Sequence, residues 1–193
     1  MKKIVYIIPG FGESHERQKG YERVAGFFKE QGITPIHIEI NWHIKKPHQF
    51  EYWKEQFLKK YKRPKNAKVY VLGFSFGAVI AFLAEPKTRP DGLILCSLSP
   101  YFIEDQAKLP KAWLKWYKKN IKGSDYSFVD LASRIRSKTF LVMGDKEPSV
   151  VGKRVRAAKR IIKKSSLFIA RGAKHNISEK EYLKGVKRVI EKL

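Results

Sequence analysis

Six short runs dense in β-branched and aliphatic residues recur along the chain, at residues 4–8, 34–40, 68–72, 92–97, 139–143 and 167–170. Continuous apolar runs of this length read as strands buried on both faces, rather than as strands with one wet face. Between them the apolar residues switch to helical spacing. Tyr21, Val24, Ala25 and Phe28 form one stripe, closed by Gly32 at a C-cap position. Phe50, Trp53, Phe57 and Tyr61 form a second; Val151, Val155, Ala158 and Ile162 form a third; Leu183, Val186, Val189, Ile190 and Leu193 close the chain. Ser178 followed by Glu181 predicts a capping box at the start of the last helix.

Strand and helix alternating this regularly imply right-handed crossovers. The predicted fold is α/β, a three-layer α/β/α sandwich around a six-stranded, mostly parallel, doubly wound sheet. In such sheets function gathers beyond the carboxyl ends of the strands. The chain reads as one domain over residues 1–193. Residues 99–137 make up an interval longer than one crossover helix needs, and so a small lid insertion.

Composition adds limits. An apolar share of 43% with 13% aromatic residues can fill a core, so disorder is excluded despite 31% charged residues. Cys96 is the only cysteine and lies inside an apolar run, which makes it a buried strand residue and leaves no intramolecular disulfide. The first apolar run is cut short by Pro9 and Gly10, too early for a signal peptide, and no stretch approaches a membrane span. A cytoplasmic protein is expected. No zinc-type spacing of histidine, cysteine or carboxylate occurs, so no metal site is predicted.

The strongest chemical signal is Gly73-Phe74-Ser75-Phe76-Gly77, placed where the third strand hands over to a helix at Phe76. A serine on so sharp a turn is lifted above the sheet, and crowding there requires glycine two residues before and two after. Three further segments follow the ends of predicted strands: Pro9-Gly10-Phe11-Gly12-Glu13-Ser14, Gly144-Asp145-Lys146-Glu147-Pro148 and Gly172-Ala173-Lys174-His175-Asn176. With these four segments in this order, the chain resembles a small member of the α/β-hydrolase superfamily of serine esterase type, with a minimal cap. The first segment is similar to the family's His-Gly-x-Gly loop, with Pro9 in place of the histidine.

The resemblance implies a nucleophile, acid and base in the order Ser, acid, His. Ser75 is the nucleophile and His175 the base; His15, His37, His43 and His48 all precede the serine and would break the topology. The family's acid, three residues after the strand-terminal glycine and just before proline, lands on Glu147, with Asp145 as the alternative. The oxyanion hole falls to the backbone N–H groups of Phe11 and Phe76. The implied reaction is cleavage of a carboxylic ester or thioester through an acyl-enzyme, with no cofactor.

A formal charge of +23 makes anionic partners plausible without choosing one. In the 99–137 interval Trp113, Trp116, Tyr117 and Ile121 share one helical face, opposite Lys111, Lys115, Lys118 and Lys122. Such a helix is either core-packed with a solvated lysine face or a lid whose lysines meet an anionic substrate or a membrane surface. A second basic cluster runs through Lys153, Arg154, Arg156, Lys159, Arg160, Lys163 and Lys164. Its interleaved residues are aliphatic core positions rather than exposed aromatics, which argues against nucleic acid. The alternative to an enzyme is a noncatalytic protein of the same fold that binds anionic partners through this surface.

Overall fold

The computed structural model describes residues 1–12, 15–43, 48–121 and 125–193. Glu13 and Ser14 of the first loop and Lys122 of the lysine face lie outside the described residues. In chain order the elements are β1 (Lys2–Ile8), α1 (His15–Glu30), β2 (Thr34–His37), α2 (Gln49–Lys60), β3 (Ala67–Phe74), α3 (Phe76–Thr88) and β4 (Gly92–Cys96). They continue as α4 (Ile103–Gln106), α5 (Lys111–Asn120), α6 (Phe128–Arg134), β5 (Lys138–Gly144), α7 (Ser149–Ile161), β6 (Ser165–Ala170) and α8 (Lys180–Ile190). The six strands form one sheet in the order β2-β1-β3-β4-β5-β6, and every pairing is parallel.

The strand period of two divides the core. Ile4, Tyr6, Ile8, Val69 and Val71 face the layer built by α2, α3, α6 and α7, while Val5, Ile7, Tyr70, Leu72 and Phe74 face the layer of α1 and α8. Helix α3 leaves the central strand and is buried along nearly its whole length. Cys96 is fully buried in β4, where desolvation pushes its thiol pKa up.

Two expectations fail at the sheet margins. Burial on both faces holds for the middle strands, but β2 and β6 are edge strands with half-buried or exposed positions, and β2 ends at His37, short of residue 40. Edge strands pack on one neighbour only, so aliphatic content alone does not reveal them. The capping box at Ser178 and Glu181 is also absent. Helix α8 takes Glu179 as its N-cap, because Ser178 is pressed against Gly20 of α1, where an added Cβ would lie 2.6 Å from its Oγ.

Candidate active site

The parallel register brings the strand ends to one rim. Ile8 pairs with Gly73, Phe74 with Cys96, Cys96 with Val142 and Gly144 with Ala170. The ladder continues past the strands: the N–H groups of Ser75, Ser97 and Asp145 donate to the carbonyls of Cys96, Val142 and Ala170 at 2.9, 2.8 and 3.2 Å. The first residues after β3, β4 and β5 are therefore tied to the neighbouring strand. Strand order reverses between β1 and β3, so the loop holding Phe11 and the turn holding Ser75 flank the switch point.

Ser75 has φ 56° and ψ −116°, a conformation that costs a side-chain-bearing residue on the order of 1–3 kcal/mol. The neighbouring packing holds it there. A Cβ at Gly73 would sit 2.2 Å from the carbonyl oxygen of Gly77, and one at Gly77 would sit 2.2 Å from that of Ile8. No larger residue fits at either position while β3, α3 and β1 keep their spacing.

Above this turn the side chains from four loops form a hydrogen-bonded chain. Ser75 Oγ lies 3.0 Å from His175 Nε2, and His175 Nδ1 lies 2.8 Å from Glu147 Oε2. With the carboxylate on Nδ1, the proton belongs there, which leaves Nε2 to accept from the serine. Glu147 has a side chain that is 0% exposed, against 27% for His175. Its second oxygen, Oε1, accepts from Gly144 N–H at 2.6 Å and from Ser97 Oγ at 2.7 Å. Ser97 Oγ in turn accepts from Tyr182 OH at 2.5 Å. Tyr182 is fully buried, and desolvation raises its pKa well above the ordinary phenol value, so it remains a donor.

Asp145 takes a different position. It is exposed, and its Oδ1 accepts from Gly172 N–H at 2.7 Å, tying the β5 turn to the loop that carries His175. His37 ends β2, and His43 and His48 lie in the approach to α2. On the other side of Ser75, Ser99 Oγ is 3.1 Å from Ser75 Oγ. Since the Ser75 proton goes to the imidazole, Ser99 is the donor of that pair.

Two backbone donors are candidates from the segments that line the cavity with Ser75. Phe76 opens α3, so its N–H has no carbonyl one turn back to bond. In the loop after β1, Pro9 has no N–H and that of Gly10 donates to Tyr21 OH at 2.7 Å, so the next donor along the chain is Phe11.

Helix α5 covers this rim. Trp113 and Trp116 project with Ala112 onto a cavity of ≈ 380 Å³ whose remaining lining is Phe11, Ser75, Phe76 and Tyr101. Lys111, Lys115 and Lys118 face solvent. The segment is anchored by Arg154, which the sequence places in a solvated basic cluster. Arg154 is instead 4% exposed, bonded through Nε and Nη2 to the Asp105 carboxylate at 2.5–3.1 Å, with its guanidinium 3.9 Å from the Phe128 ring centroid. At the start of α6, burial tends to raise the Glu104 carboxyl, but hydrogen bonds from Phe128 N–H, Val129 N–H and Ser127 Oγ bring it down to about 2.

Ser97, Ser99, Tyr182 and the Arg154–Asp105 pair were not singled out as site or anchoring residues by sequence reasoning. Only Tyr182 left a trace, since it stands four residues before Val186 on the buried face of α8.

No protein-family model and no curated protein matches this sequence. Solved structures do. Est1E from Butyrivibrio proteoclasticus, a structure with ferulic acid bound, superposes with a TM-score of 0.79 at 20% identity, covering 98% of this chain and 87% of that one. The esterase EaEST from Exiguobacterium antarcticum gives 0.74 at 15% identity, over 98% and 91% of the two chains. MGS-MChE2, an alpha/beta hydrolase enzyme from a lagoon-sediment metagenome, gives 0.70 at 17% identity, over 100% and 90%. The six parallel strands, their order and these superpositions give the chain the α/β-hydrolase fold.

Proposed function

We propose that this chain is a serine hydrolase acting on carboxylic esters or thioesters through a Ser75–His175–Glu147 triad. The observation that supports the reading most is the unbroken chain of 3.0 and 2.8 Å contacts from Ser75 Oγ through both imidazole nitrogens to a buried carboxylate. As Ser75 Oγ bonds to the acyl carbon, its proton passes to His175 Nε2, and Glu147 stabilises the imidazolium. The oxyanion is held by the N–H groups of Phe11 and Phe76. Collapse of the adduct breaks the bond to the leaving alcohol or thiol, which takes the proton from Nε2. A water then loses its proton to Nε2 as it attacks the acyl-enzyme, the acid is released, and the proton returns to Ser75.

Ser97 and Tyr182 act behind the acid. Ser97 Oγ, held by Tyr182 OH, and Gly144 N–H satisfy Glu147 Oε1, so that Oε2 alone is directed at the imidazole. The segment 99–137 is a cap over the nucleophile, with α5 as its roof. The test is turnover of p-nitrophenyl butanoate and labelling by a fluorophosphonate. We expect both in the native protein, and in Ser75→Ala a fall in kcat/KM on the order of 10⁴-fold or more with no labelling. Undiminished turnover in that variant would refute the mechanism.

A further inference from the structure

The cavity beside Ser75 has an unusual lining for a protein whose core is rich in leucine, isoleucine and valine. Five of its side chains are aromatic (Phe11, Phe76, Tyr101, Trp113 and Trp116), and among the described residues Ala112 is the one aliphatic residue that lines it. Most of these rings are only half-buried, so they present apolar surface to solvent that a ligand would cover. Four of them, Phe11, Phe76, Tyr101 and Trp116, also hold one another. Phe76 meets Tyr101 edge-to-face at 5.1 Å, Phe11 meets Trp116 edge-to-face at 5.6 Å, and Phe11 and Phe76 are tilted at 5.4 Å. Locked in this way, the walls keep their shape, whereas a lining of methyl-bearing side chains would repack around a flexible ligand.

The position of the cavity says which part of a substrate it takes. A leaving group must lie against His175 Nε2, which protonates it, yet His175 is not among the lining residues. Ser75 is, together with Phe11 and Phe76, to whose N–H groups the proposed mechanism assigns the oxyanion. A cavity that borders Ser75 and these two residues but not the imidazole fits the acyl group better than the leaving group.

Resting on the hydrolase reading above, we infer that the preferred substrates are esters whose acyl group carries a planar aromatic ring, attached directly or through a short spacer. A flat, rigid group gains edge-to-face and offset contacts with these walls beyond what its apolar area provides, and it loses little conformational freedom on entry. A flexible alkyl chain has neither advantage. Aromatic boxes also hold quaternary ammonium groups, but a chain with 41 lysine and arginine residues against 18 acidic ones opposes the approach of a cation. Tyr101, its pKa raised by burial to about 12, stays protonated and can donate to a substituent on the ring.

The test compares the p-nitrophenyl esters of 3-phenylpropanoic and 3-cyclohexylpropanoic acid, which share a carbon skeleton and differ in aromaticity, with the butanoate as a reference. We expect kcat/KM to favour the phenyl ester by about tenfold, and Trp116→Leu to bring that ratio close to one. Both esters are read on the same preparation, so the ratio is independent of how much of the variant folds. Turnover of butanoate with equal or greater preference for the cyclohexyl ester overturns the inference and leaves the hydrolase reading standing. Preference for a 4-(trimethylammonio)butanoate ester overturns it likewise. If none of the esters is cleaved and the fluorophosphonate does not label, both readings fall together.

Discussion

The two sides of Ser75 are built on opposite plans. Toward His175 a chain of directional polar contacts runs through Glu147 and Ser97 to Tyr182, backed by the Phe74 ring, and each member of the chain follows a strand end or sits at a helix start. Toward α5 the walls are aromatic rings drawn from the loop after β1, the start of α3, the loop after β4 and α5 itself. The polar side fixes individual atoms through hydrogen bonds of 2.5–3.0 Å. The aromatic side defines only a shape. Chemistry on this scaffold is a matter of a few residue types at a few positions, while selectivity is spread over packing that several segments share.

If that division is right, damage to the polar side should fall on kcat far from the substrate's acyl group. The largest contrast is between the two carboxylates after β5. Glu147→Gln should lower kcat/KM by roughly 10³–10⁴-fold, since the amide cannot stabilise the imidazolium, while Asp145→Asn, which keeps an oxygen for Gly172 N–H, should change it by no more than a few-fold. Kinetics on variants matched for thermal stability decide between them. A large loss in the Asp145 variant alone would move the acid.

The cap should fail through stability. Arg154→Met leaves the Asp105 carboxylate buried without its charge partner and should cost about 3–5 kcal/mol by denaturant unfolding, with most of that recovered in Asp105→Leu/Arg154→Met. Full stability in the single variant would show that the cap does not depend on this pair. Tyr182→Phe should have a smaller, split signature. We expect a loss of about 1 kcal/mol in stability and a fall in kcat of several-fold with KM little changed, because the hydroxyl acts on substrate only through Ser97 and Glu147. A change confined to KM would contradict that positioning role.

The smallest effect concerns Glu104, whose carboxyl is held at about 2 by the amides and hydroxyl at the start of α6. A lowered folded-state pKa contributes stability that is complete above the ordinary carboxylate value and fades as pH falls toward about 2. Melting temperatures of the native protein and Glu104→Gln should therefore differ at pH 7 and converge only as pH falls to about 2.

The contrast between the two sides also explains how much could be read from the sequence. Gly73 and Gly77 are legible because steric crowding permits only glycine there, and Pro148 after Glu147 marks the end of a turn. The aliphatic runs are legible because a central parallel strand is buried on both faces, and the same reasoning overextends to β2 and β6, where nothing local says that a strand lies at an edge. Ser97 and Ser99 look like loop serines. They gain their roles from parallel register, which sets the end of β4 beside the ends of β3 and β5. Arg154 lies among six other basic residues, and only the fold shows that it is turned inward to Asp105 rather than outward to water. Trp113 and Trp116 were visible as a helical face, but what they face depends on where the 99–137 segment is laid down.

The most direct test of the central claim is to locate the covalent adduct. The native protein is treated with a fluorophosphonate and digested, and the modified peptide is sequenced by mass spectrometry. The account predicts a single phosphonylated residue, Ser75, formed far more slowly in His175→Ala. An adduct on Ser97, Ser99 or any other residue, or labelling of Ser75 at the native rate without the imidazole, would contradict it.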